Sequence, residues 1–337
     1  MILLIKGVIL LILFTIIAFI IGKLISKLKL PSILGWLITG MIIGPHALNW
    51  MNSSIMDAQW YHVLTNVGEI LVGMLIGTEL IIEELKKSGK QIVIICLFEG
   101  MTAFILVAIA FFIFADIPMS IALVFGAIAL ATAPAPSLSI VKEYNAKGPV
   151  SKTLIPLAAL DDVLGLIVFF LVIGIVSGGM TGESLNIISI LMMIILPLAI
   201  GGVTGYIGSK ILKNKCSKIE TILKIAILIV VTVIIGRYVN DNILSINLLL
   251  SGISFSAIIV NTVKKDRVKE IMEVTNPIIG IGLVVMVINL GAPLDYSLIF
   301  GAGISTAIYI IARGIGKYLE LMQEGSYQRL MKMYLNT

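Results

Sequence analysis

Two adjacent aspartates, Asp161 and Asp162, lie in the middle of an apolar stretch, residues 154–175, that is long enough to cross a lipid bilayer. A carboxylate at that depth is costly unless it is paired, hydrated or protonated. Two close carboxylates in a medium of low dielectric constant do not both ionise easily, so we expect one of them to take up a proton readily. A proton and a metal cation then compete for the same oxygens. The alternative is a structural role, in which Asp161 or Asp162 only forms a hydrogen bond to a neighbouring packed helix.

A second unusual segment, residues 131–137, lies at a similar expected depth on the preceding apolar stretch and reads Ala-Thr-Ala-Pro-Ala-Pro-Ser. Pro134 and Pro136 each lack an N–H group and clash with the carbonyl one turn earlier, so the helix is predicted to break there, around Thr132 and Ala133. Inside a bilayer, a broken helix persists where its free backbone groups face protein or a water-filled cavity. Carbonyls beside a carboxylate make a candidate cation site, and a kink that serves only packing is the alternative.

Two of the other acidic residues in the apolar segments are weaker candidates for the site. Glu99 is two turns into its segment and is a weaker candidate for the site, with a hydrogen bond between helices as the alternative. Glu79 lies near the end of its segment. It has either a role in ion access or a side chain that only reaches toward water, and the sequence favours neither. His46 and His62 are not spaced as a pair of metal ligands, and we interpret them as solvated.

The elements that position these residues are predicted to be membrane-spanning helices. The chain of 337 residues is 59% hydrophobic and 13% charged with a mean hydropathy of +1.11, whereas soluble domains carry about a quarter charged residues. An all-α polytopic membrane protein in contact with the lipid bilayer is therefore predicted. Eleven apolar segments are expected to span the membrane: 2–22, 31–47, 63–85, 91–114, 118–141, 153–177, 188–209, 220–238, 243–262, 272–291 and 296–317.

The basic residues alternate between the connections of these segments. Lysines and arginines concentrate in the odd-numbered connections and are nearly absent from the even-numbered ones. The positive-inside rule then places the N-terminus outside and the C-terminus in the cytoplasm, in a cytoplasmic (inner) membrane. The net charge of +5 follows from this topology, so we do not interpret it as nucleic-acid binding. Cys96 falls in a span and Cys216 in a cytoplasmic connection, and no disulfide is implied.

The motifs resemble those of a known family. The motifs are 30–35 (LPSILG), 76–79 (IGTE), 98–99 (FE), 126–134 (GAIALATAP), 141–143 (VKE), 147–149 (KGP) and 159–162 (ALDD). They resemble, in the same order along the chain, motifs of the bacterial Kef/Nap-type monovalent cation/proton antiporters. These belong to the sodium/hydrogen exchanger family. The resemblance implies a sodium/proton antiporter fold of two inverted repeats, each with one broken helix. It also implies antiport of a monovalent cation, Na⁺ foremost, with Li⁺ or K⁺ open, against H⁺. No cofactor and no enzymatic activity are implied.

The resemblance also implies roles for individual residues. Asp162 would be the principal carrier of the cation (Na⁺) and the proton, and Thr132 would belong to the broken helix with Ala133, Pro134 and Pro136. Asp161 would pair with a basic residue on a later core helix. Arg313 is the preferred candidate for this partner and Lys317 is the alternative. Lys317 could equally be an anchor at the membrane interface. Family members with paired aspartates resemble the electrogenic exchangers, and those with Asn at the first position resemble the electroneutral ones.

The implied organisation divides the chain by role. Residues 1–90 and 218–292 would be scaffold helices that form a homodimer, residues 91–178 and 293–318 the ion-binding core, 179–217 a linking helix and 319–337 a cytoplasmic tail. The second broken helix and the two spans expected after residue 318 do not follow in these 337 residues, so a C-terminally truncated chain with weak or absent transport is expected. The alternative is that residues 319–337 form a short amphipathic helix that lies on the cytoplasmic surface of the membrane.

Three other functions remain as alternatives. A gated potassium efflux system would usually carry a nucleotide-binding domain, for which no glycine-rich pattern is seen here. An intramembrane aspartyl protease would place its carboxylates on separate helices in a Gly-Asp motif, and the sequence contains no Gly-Asp dipeptide. An inactive membrane protein that only binds another subunit is the third.

Overall fold

Helices account for the regular secondary structure of the residues that the computed structural model describes, which are 2–131, 157, 160–161, 164–176, 187–295 and 303–318; no strand occurs among them. Each of the eleven predicted apolar segments contains one of these helices, which confirms the all-α prediction. The helices are α1 (Ile2–Lys27), α2 (Ser32–Ile43), α3 (Ser53–Met56), α4 (Gln59–Gly77), α5 (Ile82–Phe114), α6 (Met119–Leu130), α7 (Leu164–Val176), α8 (Ile187–Leu212), α9 (Lys218–Asn242), α10 (Leu248–Thr262), α11 (Lys265–Gly291) and α12 (303–318).

Local signals in the sequence explain several of the helix starts. Pro31 and Pro118 stand directly before α2 and α6, where a residue without an N–H group is tolerated. Asn52 and Asn247 cap α3 and α10 through their side-chain oxygens. The Ser217 hydroxyl accepts a hydrogen bond from the Glu220 N–H at the start of α9. The first N–H groups of a helix have no hydrogen-bond partner inside it. Asn and Ser side chains accept hydrogen bonds from such groups, and proline lacks the N–H group altogether.

Five helices are long and apolar enough to cross a membrane, judged by length and composition, in the part of the chain that is described: Ile9–Lys27, Cys96–Phe114, Leu191–Leu212, Lys218–Asn242 and Lys265–Gly291. Four further apolar helices are shorter, among them α6 and α10. A 12-residue helix rises about 18 Å, which is less than the hydrocarbon thickness of about 30 Å. Of the predicted span at 118–141 the structure describes residues 118–131, and these are helical from Met119 to Leu130.

One predicted boundary is wrong. The segments 63–85 and 91–114 were expected to be separated by a basic connection containing Lys86, Lys87 and Lys90. Instead α4 ends at Gly77, and the 33-residue α5 already begins at Ile82, so these lysines lie in the first turns of a helix. Lysine and glutamate are good helix formers, so a basic stretch next to an apolar one does not interrupt a helix by itself.

The described helices form two compact units. The first comprises Met1–Thr78 and Ile195–Gly301, and the second comprises Glu79–Ile194 and Ala302–Thr337. In the first unit α4 packs along α10 and α11, and α2 packs along α1 and α11. Its two apolar clusters are centred on Met74, Leu248 and Phe255, and on Phe14, Ile43 and Ile288.

Glycines allow the closest helix contacts in the first unit. A Cβ atom at Gly73 of α4 would collide with the Leu249 carbonyl oxygen of α10, and one at Gly252 would collide with the Ile70 carbonyl oxygen of α4. Gly40 of α2 has the same relation to the Ile288 carbonyl oxygen of α11. Small residues that let backbones approach are the usual means of helix association in lipid, where apolar side chains gain little from leaving their surroundings.

In the second unit α5 packs against α6, and three glycines again mark close approaches. A Cβ atom at Gly126 of α6 would stand 2.6 Å from the Phe104 carbonyl oxygen of α5, and one at Gly316 of α12 would stand 3.0 Å from Ala103 Cα. On α7, a Cβ atom at Gly165 would stand 3.0 Å from Ala131 Cβ. Helices α5, α7 and α12 therefore all reach the region where α6 ends.

Candidate functional site: a charged cluster at the end of α6

Helix α6 ends at Leu130, and Ala131 takes an extended conformation with φ −66° and ψ 140°. The sequence predicts a break around residues 131–137, and the helix ends directly before the first of these. The other named residues of the predicted break, Thr132, Ala133, Pro134 and Pro136, lie outside the described residues, so the rest of that prediction stays a prediction. The last carbonyls of a helix have no partner inside it, and in a membrane they need one from elsewhere.

Arg313 of α12 supplies such partners. Its Nε donates to the Ala129 carbonyl oxygen at 3.1 Å, and one terminal nitrogen donates to the Ala131 carbonyl oxygen at 2.8 Å. A cation at a helix C-terminus is also favoured by the negative end of the helix dipole. Arg313 therefore stabilises the end of α6 directly.

Lys317 lies one turn after Arg313 on the same face of α12. Its Nζ donates to Glu99 Oε1 at 2.7 Å and to the Leu130 carbonyl oxygen at 3.3 Å. Asp161 Oδ2 lies 3.6 Å from the same nitrogen, which is within ion-pair distance. The side chains are 19%, 11% and 1% exposed for Lys317, Glu99 and Asp161, so this is a buried cluster of one cation and two carboxylates.

Asp161 has a second neighbour. The thiol of Cys96, which is buried, donates to Asp161 Oδ1 at 3.4 Å. Cys96 and Glu99 are three residues apart on α5 and so share one face of that helix. A thiol is a weak donor and the 3.6 Å ion pair is long, so the Asp161 carboxylate is held less tightly than the Glu99 carboxylate.

The net charge of the cluster follows from these contacts. If both carboxylates are ionised, Glu99 and Asp161 carry two negative charges against the single positive charge of Lys317. A second cation, the Arg313 guanidinium, lies one turn before Lys317 on α12 and at the same end of α6, so the described residues of this region comprise two carboxylates and two cations.

The structure brings together part of the predicted site. Asp161, Glu99 and Lys317 meet, and Lys317 rather than the preferred Arg313 lies beside Asp161, while Arg313 binds the carbonyls of α6. Lys317 contacts Glu99, the Leu130 carbonyl oxygen and Asp161 inside the protein, which disfavours its reading as an interfacial anchor. Asp162 lies outside the described residues.

The remaining candidates lie elsewhere. Glu79 is in the connection between α4 and α5, and His46 lies 4.0 Å from Asp295, with both side chains more than a third exposed. Among the described ranges, no group of three or more His, Cys, Asp or Glu side chains is arranged to hold a resident metal ion. Sequence reasoning missed Cys96 as a neighbour of Asp161; its spacing from Glu99 on one helix was the available signal.

These features define a polytopic helical membrane protein with a charged cluster at the end of α6. The model of the family described as "Sodium/hydrogen exchanger, transmembrane" matches residues 9–319. The chain belongs to this sodium/hydrogen exchanger family.

Solved structures show the same fold. A structure of the sodium proton antiporter MjNhaP1 from Methanocaldococcus jannaschii at pH 8 superposes with a TM-score of 0.71 at 21% identity, covering 95% of this chain and 79% of that one. A second structure of the same antiporter, from electron microscopy, gives 0.68 at 20% identity, with 95% and 78% covered. This likeness confirms the predicted antiporter fold.

A sequence relative is the protein "Na(+)/H(+)-K(+) antiporter GerN" of Bacillus cereus. It is 40% identical over 70 residues, which cover 21% of this chain and 17% of GerN. The matched segment thus spans less than a fifth of that relative's length.

Proposed function

We propose that this protein is a secondary antiporter that exchanges a monovalent cation, Na⁺ foremost, for H⁺ across the cytoplasmic membrane. The observation that carries the proposal is the buried cluster of Asp161, Glu99 and Lys317 at the end of α6. Membership of the sodium/hydrogen exchanger family supports the class of transported ions.

Competition for carboxylate oxygens supplies the coupling in this proposal. Lys317 is bound more closely to Glu99 than to Asp161, at 2.7 Å against 3.6 Å. When a cation binds at the aspartate pair, Lys317 can keep its ion pair with Glu99. Only the contact between Lys317 and Asp161 is then replaced by a contact between Asp161 and the cation. Asp162, the neighbour of Asp161, would bind the ion in one half of the cycle and a proton in the other.

The backbone at the end of α6 has a supporting role in the proposal. Arg313 and Lys317 already satisfy the carbonyls of Ala129, Leu130 and Ala131. Protein donors thus satisfy these carbonyls at the end of α6, as a helix end at membrane depth requires. Thr132 and the two prolines that follow would continue this crossing.

Electrogenic exchange is part of the proposal, because paired aspartates resemble the electrogenic family members. K⁺ is the second candidate cation, and the specific observation that favours it is the relative named as a Na(+)/H(+)-K(+) antiporter. Carboxylate and carbonyl oxygens accept either ion, so the choice depends on cavity size and the number of ligands.

The two compact units support a division of labour. We assign the ion-binding core to the second unit and the scaffold that forms a homodimer to the first, with the N-terminus outside and the C-terminus cytoplasmic, as the basic connections indicate. Alternating access in this fold class proceeds by movement of one helix bundle against another.

Sodium-induced proton release tests the site. We would add NaCl, KCl or choline chloride to the purified 337-residue protein in weakly buffered detergent and follow pH with a dye. Wild type should release protons on addition of NaCl, and Asp162→Asn should release none. Asp57→Asn, which removes an exposed carboxylate in the connection after α3, is the matched control and should behave as wild type.

Proteoliposomes test the transport step. Whatever sodium-driven proton flux the wild-type chain supports should be lost in Asp162→Asn, and an imposed membrane potential should change its rate in wild type. Asp161→Asn should make exchange insensitive to that potential. Proton release and pH-dependent exchange that persist in Asp162→Asn would contradict the assigned carrier.

A further inference from the structure

An apolar groove in the first unit has no part in the proposed exchange. It encloses about 170 Å³ between three helices, and α4, α9 and α11 each contribute to its walls. Its lining includes Val67, Leu71, Ile222, Ala226, Val230 and Ile278. The volume of the groove is well above the roughly 30 Å³ that one water molecule occupies in the liquid.

The groove offers no polar group that would hold water. Thr275 is the one lining residue with a hydroxyl, and that hydroxyl donates to the Ile271 carbonyl oxygen of its own helix at 2.7 Å. The remaining lining side chains are hydrocarbon. A site of this kind favours an aliphatic chain over any polar ligand.

The groove is open to the surface of the unit along α9. Val230, which lines it, is 52% exposed, and the neighbouring Ile227 is 61% exposed. Its α9 residues run from Ile222 to Val230, so the groove begins about 6 Å from the first residue of that helix and extends roughly 12 Å further. A hydrocarbon chain that enters from the basic end of α9 would lie along the groove.

The end of the unit next to the groove is strongly basic. Segments 213–224 and 264–273 contain eight lysines and arginines and four acidic residues. Contacts fix the two segments together: the Arg267 guanidinium donates to Thr221 Oγ1 at 3.0 Å, and Lys215 lies 3.4 Å from Glu270. Lys218 is exposed and lies one turn before Ile222, on the groove face of α9.

We propose that this groove binds one acyl chain of an anionic phospholipid, whose headgroup lies against the basic start of α9 at Lys218. The apolar walls select the chain and the excess of positive charge selects the headgroup. Anionic lipids are attracted to clusters of basic residues at the ends of membrane helices for the same reason.

Charge favours a lipid over a second copy of this chain as the occupant. A two-fold axis along the membrane normal keeps each residue of a dimer at the same depth in both copies. A dimer joined through this groove would therefore bring two basic ends together at one level, and like charges repel. An anionic headgroup neutralises that end instead.

Thermal unfolding of the purified full chain in detergent tests the proposal. Added dioleoyl phosphatidylglycerol should raise the unfolding midpoint more than dioleoyl phosphatidylcholine does. Ala226→Trp fills the groove and should abolish the phosphatidylglycerol shift. Ile227→Trp places the same side chain on the adjacent exposed position outside the groove and should keep it.

Headgroup variants complete the experiment. Lys218→Gln should reduce the preference for phosphatidylglycerol over phosphatidylcholine, while Lys213→Gln, an exposed lysine before the start of α9, should not. The proposal is overturned if Ala226→Trp keeps the full shift, or if glycerol phosphate alone gives the same shift as the lipid. It is also overturned if Ala226→Trp dissociates a dimer that added lipid leaves unaffected, because a second copy would then occupy the groove.

Discussion

The two units bury polar groups in different ways. In the first unit most of the buried polar side chains are hydroxyls, and they largely donate to carbonyls of their own helices, as Thr39 does to Gly35 and Thr275 to Ile271. In the second unit the buried polar side chains of the described residues include two carboxylates, Glu99 and Asp161. A hydroxyl bonded within its helix needs nothing from its neighbours, whereas a buried carboxylate needs a cation from another helix.

The two units are thus held together by different kinds of contact. Close backbone contact through glycine holds α4 to α10 in the first unit, where the buried charge of the described residues is Arg267 near the start of α11. Lys317 holds α12 to α5 and to the end of α6 in the second unit, at the site of the proposed exchange. Loss of the buried Lys317 charge should therefore matter far more than loss of an exposed charge of the first unit.

Removing the shared cation is the largest expected effect. Lys317→Met leaves two buried carboxylates without their partner, and we expect a loss of about 3–5 kcal/mol in the free energy of unfolding. Adding Glu99→Gln and Asp161→Asn to Lys317→Met should restore much of the stability, because the unpaired charges are then gone. Unfolding of the detergent-solubilised protein measures both variants.

An exposed ion pair of the first unit is the matched control. Lys215 pairs with Glu270 at 3.4 Å, but its side chain is 83% exposed, so Lys215→Met should leave stability unchanged within error. If Lys317→Met and Lys215→Met have equal effects, the contrast between the two units is wrong.

Glycine substitution tests how the first unit is held together. Gly73→Ala places a Cβ atom against the Leu249 carbonyl oxygen, which α4 can avoid only by moving away from α10. We expect a loss of about 1–3 kcal/mol, as for other overpacked sites. Gly280→Ala on α11 is the control, since nothing lies within 4 Å of its new Cβ atom, and it should stabilise the helix by about 0.5–1 kcal/mol. A neutral Gly73→Ala variant would show that the contact is not required.

The smallest expected effect concerns a hydroxyl that reaches another helix. Thr232 of α9 donates to Thr204 of α8 at 3.0 Å, with its own helix carbonyl at Leu228 as an alternative acceptor at 2.8 Å. Thr232→Val should cost about 0.6 kcal/mol, typical of such bonds in membrane proteins. Thr39→Val, which removes a bond within one helix, should cost less. A loss of several kcal/mol in Thr232→Val would mean that hydroxyls in the first unit act as the charges do in the second.

Much of the site was predictable because the cost of a charge in lipid is visible in sequence. Asp161 and Glu99 stand out among apolar neighbours, and Pro134 and Pro136 indicate an interruption that the observed end of α6 at Leu130 matches at its beginning. The boundary between α4 and α5 was misplaced because hydropathy marks where a helix meets water, not where its backbone ends. Local propensity continues α5 through its lysines.

The sequence by itself determined the class of protein, the eleven helical segments and the carboxylates that need a partner, because these depend on composition and on the transfer of side chains from water. Only the tertiary structure decided which cation meets Asp161. Arg313 and Lys317 are one turn apart on the same face of α12, so periodicity does not distinguish them. Gly316 lets α12 approach Ala103 of α5, and Gly165 lets α7 approach Ala131 at the end of α6. In this packing Arg313 reaches the carbonyls of α6 and Lys317 reaches the carboxylates.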